Sequence, residues 1–138
     1  EFKVEHNGFC RIFGDPVKHT RTFKLTNNCF CLEDQLMGKK NHQINTYFQW
    51  SSQISLSKNN ESNYGITSLS DQRFEGLFEY QNDRMSYDNL KSKIIYGQNN
   101  GMGYHFPNYG KKEKIATLMF SQNIKLPIMN KFSLTWKK

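Results

Sequence analysis

Between Val17 and Trp50 side chains alternate in character almost one for one, and such a chain can bury one face only as β-strand. Val17, His19, Arg21, Phe23 and Leu25 fall on one face, with Lys18, Thr20, Thr22 and Lys24 on the other. After the Asn27-Asn28 turn the segment from Cys29 to Leu36 alternates again and aligns Phe30, Leu32, Asp34 and Leu36. The Gly38-Lys39-Lys40-Asn41 turn leads into His42, Ile44, Thr46, Phe48 and Trp50, opposed by Gln43, Asn45, Tyr47 and Gln49. Connections this short rule out parallel crossovers and predict a three-stranded antiparallel meander. Upstream, the stretch from His6 to Arg21 reads as two strands joined by the Gly14-Asp15-Pro16 turn, with His19 and Arg21 on one face of the second.

The rest of the chain repeats the theme less regularly. Strands are expected over 53–56, 64–69, 74–80, 93–97, 102–106, 115–121 and 131–136, separated by Asn-rich turns such as Gln98-Asn99-Asn100-Gly101. Gly101-Met102-Gly103 reads as flexibility at a strand edge rather than a phosphate loop. Asp83–Lys91 could make one helical turn, and nothing else reads as helix. The expected fold is all-β, an antiparallel β-sandwich, with residues 1–138 forming one domain. Phe30, Leu32, Ile44, Phe48, Leu118, Phe120 and Leu134 are its expected core.

Composition narrows the function classes. With 36% hydrophobic and 22% charged residues the chain suits a folded globular protein. No apolar run approaches the roughly 20 residues that span a bilayer, so no membrane partner is expected. The formal net charge of +7 points to an anionic partner or merely to solubility, and its lysines are scattered and form no nucleic-acid arm. Nucleic acid is therefore not expected. Cys10, Cys29 and Cys31 cannot all pair within one chain and are expected as buried free thiols. Neither a zinc-finger spacing nor a Ser/His/Asp or Walker pattern is present, so no metal or cofactor is expected. The opening Glu1-Phe2-Lys3-Val4 has no initiator Met or export pattern and reads as the start of an excised fragment.

Four ordered segments carry a resemblance. His6-Asn7-Gly8-Phe9 followed by Asp15-Pro16-Val17-Lys18-His19-Thr20-Arg21 resembles an "H-D-G-Y … D-P-V-x-H-x-R" segment, with Asn7 and Phe9 as departures. Asp34-Gln35-Leu36-Met37-Gly38, then His42 and Tyr47-Phe48, is similar to "D-x-L-x-G-x-G-x-H … F-H". Phe106-Pro107-Asn108-Tyr109-Gly110 is similar to "S-P-x-Y-G", and Leu126-Pro127 precedes a last strand as in "L-P … T". These patterns belong near the C-terminal end of the heparinase II/III-like polysaccharide lyases.

The resemblance implies a β-sandwich that follows an α-helical toroid in an enzyme cleaving uronate-containing glycans by β-elimination. In that chemistry a base takes the proton beside the carboxylate, an Asn or His neutralises the carboxylate, and a Tyr commonly serves as acid or base. The family's "H-x-H-x-D", "D-P-G" and "A-H-N" elements, which supply metal ligands and principal histidines, do not occur in these 138 residues. No catalytic residue is therefore assigned, and the fragment alone is expected to be inactive. The implied partners are an acidic polysaccharide and the remainder of the parent polypeptide, with a homodimer through an exposed sheet edge or face as a further expectation. The parent would be secreted, periplasmic or at the cell surface, although the residues leave localisation open.

Four residues are candidates for glycan contact. Arg21 could hold a carboxylate in its planar fork, and His19 on the same face could orient it. The competing account has both residues bonded to neighbouring strands. Tyr109 sits on a Pro-Gly-flanked loop, where it is either a sugar platform or a corner residue capping a carbonyl, and His105 could join that platform. His42, Tyr47 and Trp50 read as packing residues. The alternative function is a free-standing carbohydrate- or protein-binding sandwich without enzymatic activity, favoured by the 14% aromatic content and many Asn and Gln residues.

Overall fold

The computed structural model describes residues 1–11, 14–71, 73–85, 87–98 and 102–137. Its strands are β1 (Phe2–His6), β2 (Lys18–Leu25), β3 (Cys29–Met37), β4 (Asn41–Gln49), β5 (Ile54–Lys58), β6 (Asn63–Ser68), β7 (Glu75–Asn82), β8 (Lys91–Tyr96), β9 (Tyr104–His105), β10 (Glu113–Lys114), β11 (Ala116–Lys125) and β12 (Ile128–Lys137). A single 3₁₀ turn covers Gly8–Arg11, and no α-helix occurs among the described residues. A seven-stranded sheet in the order β1-β2-β3-β12-β7-β6-β5 packs against a three-stranded sheet, β4-β11-β8, with β9 and β10 forming a small hairpin. Every strand pair is antiparallel. The fold is an all-β sandwich.

Four local expectations change. The meander stops at two strands: β2 pairs with β3, but β4 crosses to the other sheet and pairs with β11. The free edge of β3 is taken instead by β12, with Phe132 opposite Leu32 and Leu134 opposite Phe30. The short turn forces the crossing because Asp15 grips it, accepting hydrogen bonds from the Lys39 and Lys40 amides at 2.8–3.0 Å. The first strand of the opening pair ends at His6 and gives way to the 3₁₀ turn, while Ile12 and Phe13 lie outside the described residues. Residues 83–91 make turns rather than helix among the described positions, with Ser86 outside them. Asn99, Asn100 and Gly101 of the expected Asn-rich turn also lie outside. Cys31 is buried as expected and burial pushes its thiol pKa up, whereas Cys10 is exposed.

The core follows from the inward parity of both sheets. Leu32, Phe78, Tyr80 and Phe132 of the large sheet meet Leu118 and Phe120 of the small one, with Phe48 and Trp50 packed beside them. Phe48 touches Phe78 edge-on at 5.0 Å between ring centroids and lies 4.8 Å from Phe132. Each such side chain contributes roughly 1.5–3 kcal/mol through burial. Phe30 and Leu134 are half-buried against the same cluster, and Ile44 packs on a second cluster of Val17, Leu36, Ile124, Leu126 and Ile128.

A polar row separates the two clusters. Register places Arg21 beside Asp34, Asp34 beside Asn130, and Asn130 beside Asn82, across β2, β3, β12 and β7. Tyr80 on β7 joins this row to the opposite sheet, its hydroxyl lying 2.8 Å from Gln122 Oε1 and 2.9 Å from Asn130 Oδ1. At the far end, Tyr64 donates to Ser92 Oγ at 2.6 Å and Lys58 to the Ser92 carbonyl at 2.8 Å, tying β6 and β5 to β8.

Candidate functional site

Asp34 faces inward because it has the parity of Leu32 and Leu36, and at 4% exposure it is a carboxylate in the core wall. A charge so placed must be paired. Arg21 Nε donates to Oδ1 at 2.6 Å and Nη2 to Oδ2 at 2.7 Å, a bidentate fork across the β2–β3 register. His19 Nε2 lies 2.8 Å from Oδ1. Burial pushes the Asp34 pKa up, but the Arg21 and His19 hydrogen bonds outweigh it and hold the carboxyl below its usual value. The same pairing raises the Arg21 guanidinium pKa.

A second carboxylate–imidazole pair stands on the facing element. Asp15 precedes β2, and its Oδ2 is 2.8 Å from His42 Nε2 at the start of β4. The His42 hydrogen bond, helped by the Lys40 and Lys39 amides, lowers the Asp15 pKa to about 2. Both rings thus spend Nε2 on a carboxylate and leave Nδ1 as the remaining hydrogen-bonding atom.

Both imidazoles line one cleft of about 340 Å³. Phe9, Val17, Asp34 and Asn130 also line it, together with residues 42–46 of β4. β4 pairs only with β11, so its other edge carries backbone groups without a strand partner among the described residues. The cleft therefore combines two imidazoles, an amide, unpaired strand backbone and apolar walls. Such a set can hydrogen-bond and orient a polar ligand. A proton could move through either Nδ1. Arg21 has its fork filled by Asp34, so it acts on the cleft by fixing Asp34 and, through it, His19.

His105 and Tyr109 lie elsewhere. The β9–β10 hairpin joins β11 at Ala116, whereas the cleft lies at the Ile124–Leu126 end of that strand, roughly 30 Å away at 3.3 Å per residue. Tyr109 is fully exposed and caps no carbonyl among the described residues; Tyr104 does that instead, donating to the Gly97 carbonyl at 3.0 Å. Lys112 sits 3.7 Å over the Tyr104 ring. The structure brings His19 and Arg21 together and keeps His105 and Tyr109 apart from them.

Asp34, Asp15, His42 and Asn130 were not singled out as site residues from sequence. Asp34 had a readable signal, an acid in line with Phe30, Leu32 and Leu36. Asp15 had none, because its partners come from a turn 24 and 25 residues later. Among the described residues, no group of three or more His, Cys, Asp or Glu is placed to hold a metal ion. Among the same residues no helix is long and apolar enough to cross a membrane.

The chain's sequence matches no family model and no curated protein. Its structure does match solved ones. The heparinase III BT4657 gene product superposes with a TM-score of 0.62 at 13% identity, over 88% of this chain and 18% of that one. The heparan sulfate lyase HepC from Pedobacter heparinus gives 0.62 at 14%, over 87% and 17%. This is a fold found in heparinase III. The chain spans less than a fifth of the length of these heparinase III structures, so the likeness concerns a sandwich segment and not a whole lyase.

Proposed function

We propose that this chain is the C-terminal β-sandwich domain, residues 1–138, of a longer heparinase II/III-like polysaccharide lyase that cleaves acidic, uronate-containing glycans by β-elimination. Within it the domain is structural and touches substrate, and the groups that carry the chemistry lie in the rest of the polypeptide. The observation that carries this reading is the superposition on a heparinase III and on a heparan sulfate lyase over nearly nine-tenths of the chain. The four ordered sequence segments support it. Of these, the Asp15-Val17-His19-Arg21 and Asp34-Leu36-Gly38-His42 segments meet at the cleft.

His19 and Arg21 serve as one unit in this reading. Arg21 holds Asp34, Asp34 holds the His19 ring, and Nδ1 of that ring is the atom offered to a sugar hydroxyl or carboxylate. His105 and Tyr109 contact glycan at the opposite end, where only a long chain could touch both places.

The test is a lyase assay following the ultraviolet absorbance of newly formed unsaturated uronate. Expressed with the rest of its reading frame, the protein should depolymerise heparan sulfate or a related uronate glycan. The 138-residue chain alone should not. Turnover by the isolated chain, or a full-length protein inert on every uronate glycan, would overturn the proposal.

A further inference from the structure

The outer face of the β4-β11-β8 sheet has a composition that packing does not require. Along β4 every second residue points away from the core, and these are Asn41, Gln43, Asn45, Tyr47 and Gln49, all exposed. Lys125 of β11 stands opposite Asn41, and Lys91 and Lys93 extend the face on β8. No Asp or Glu occupies an outward position of these three strands. An ordinary solvated strand face intersperses both signs of charge.

One end of this face deepens into a cleft of about 460 Å³, lined by Asn41, Gln43, Asn89, Lys91, Ser121 and Asn123 among others. Gln43 Nε2 donates to Ser121 Oγ at 2.7 Å, which fixes that amide. The side chains of Asn41, Asn89, Lys91 and Asn123 have no hydrogen-bond partner among the described residues. Three amides and an ammonium thus stand open at one place, with no carboxylate lining the cleft to neutralise the cation.

We propose that this face and cleft bind an anionic saccharide, separately from the cleft that holds His19. The Lys91 ammonium takes a sulfate or carboxylate, because a compact cation with three donors suits an oxyanion. The amides each offer a donor and an acceptor, matching sugar hydroxyls that do both. Tyr47 supplies a half-exposed ring against which a pyranose can lie. The two clefts meet only at Gln43: Asn89, Lys91, Ser121 and Asn123 line this one, and His19, Asp34 and Asn130 line the other. The choice of a saccharide over other anions rests on the glycan reading above.

The experiment titrates the labelled 138-residue chain with a heparan sulfate hexasaccharide, a neutral cello-oligosaccharide and inorganic sulfate, following side-chain amide resonances. The hexasaccharide should move the amide signals of Asn41, Asn89 and Asn123 and bind more tightly than either comparison compound. Lys91→Ala and Asn123→Ala should each weaken it severalfold to roughly tenfold, the size of one lost hydrogen bond to a charged or polar group. Lys137→Ala, a lysine on β12 of the other sheet, should leave affinity nearly unchanged. Equal weakening by Lys137→Ala would show diffuse attraction and overturn the proposal. So would equal affinity for sulfate or for the neutral sugar, or signals that move only around His19 and His42. The last result would leave the lyase reading intact, since the assay of the full-length protein tests that separately.

Discussion

Asp34 is a charge inside the wall of the sandwich, and its stability contribution depends on who accompanies it. Arg21→Ala would leave a carboxylate that is 4% exposed with His19 as its remaining side-chain hydrogen-bond partner among the described residues. The expected cost is about 1.5–3 kcal/mol, read from the urea midpoint, since a charged hydrogen-bonded partner is removed. Arg21→Lys should recover only part of this, because a point charge cannot reproduce the two-pronged geometry. In the longer lyase proposed above, the variant should lower kcat/KM through the released His19 ring, while loss of stability with unchanged kinetics would assign Arg21 a purely structural role. Half of this pairing was legible beforehand. The inward parity of Arg21 and the acid aligned with Phe30 and Leu32 could both be read, but that they meet depends on a register no periodicity reveals.

At the scale of elements, the crossover between β3 and β4 is where the chain departs from its simplest reading. Alternation showed three strands correctly, and it could not show that the third changes sheets. That choice is made by Asp15, which holds the Lys39 and Lys40 amides and His42 together. Its folded pKa of about 2 lies below the ordinary value near 3.9, so its contribution is fully present above pH about 4 and is lost as pH falls toward 2. Asp34, also lowered, adds in the same direction. Urea midpoints measured from pH 7 downward should therefore fall below pH about 4, and Asp15→Asn should lower the neutral plateau and flatten that fall. Gly38 is the second determinant of the crossover. A Cβ there would meet Leu126 Cδ1 at 2.8 Å and Asp15 Oδ2 at 3.1 Å, and Leu126 is too deeply buried to give way. Gly38→Ala should cost about 1–3 kcal/mol, as overpacking does, and a thermal melt unchanged by the substitution would contradict this account.

For the whole molecule, seven strands face three, and the large sheet overhangs the small one. On the overhanging side Phe2 is 65% exposed and Leu25 72%, although both share the inward parity of Phe23. Apolar surface and an open β1 edge on one side favour association with another chain or with the rest of a longer one. The isolated chain should show concentration-dependent association in sedimentation velocity, and Leu25→Lys should reduce it. A strict monomer at all concentrations would mean the overhang is too small to matter. Alternation showed a sandwich but not this imbalance, because which strands share a sheet depends on pairings as distant as Cys29 with Thr135. Nor could it show that the length of β11 stands between Tyr109 and His19.

The polar row through the interior acts as a key to alignment. Sliding β3 by two residues along β12 would keep every apolar side chain facing inward, so hydrophobicity alone could not reject it. It would, however, set Asp34 opposite Ile128 or Phe132 in place of Asn130. A carboxylate moved among hydrocarbon loses its hydrogen bonds and keeps its desolvation cost. The row that interrupts the core thus gives this sandwich one correct way for its strands to meet, and its mismatches make every even-numbered slip a visible error.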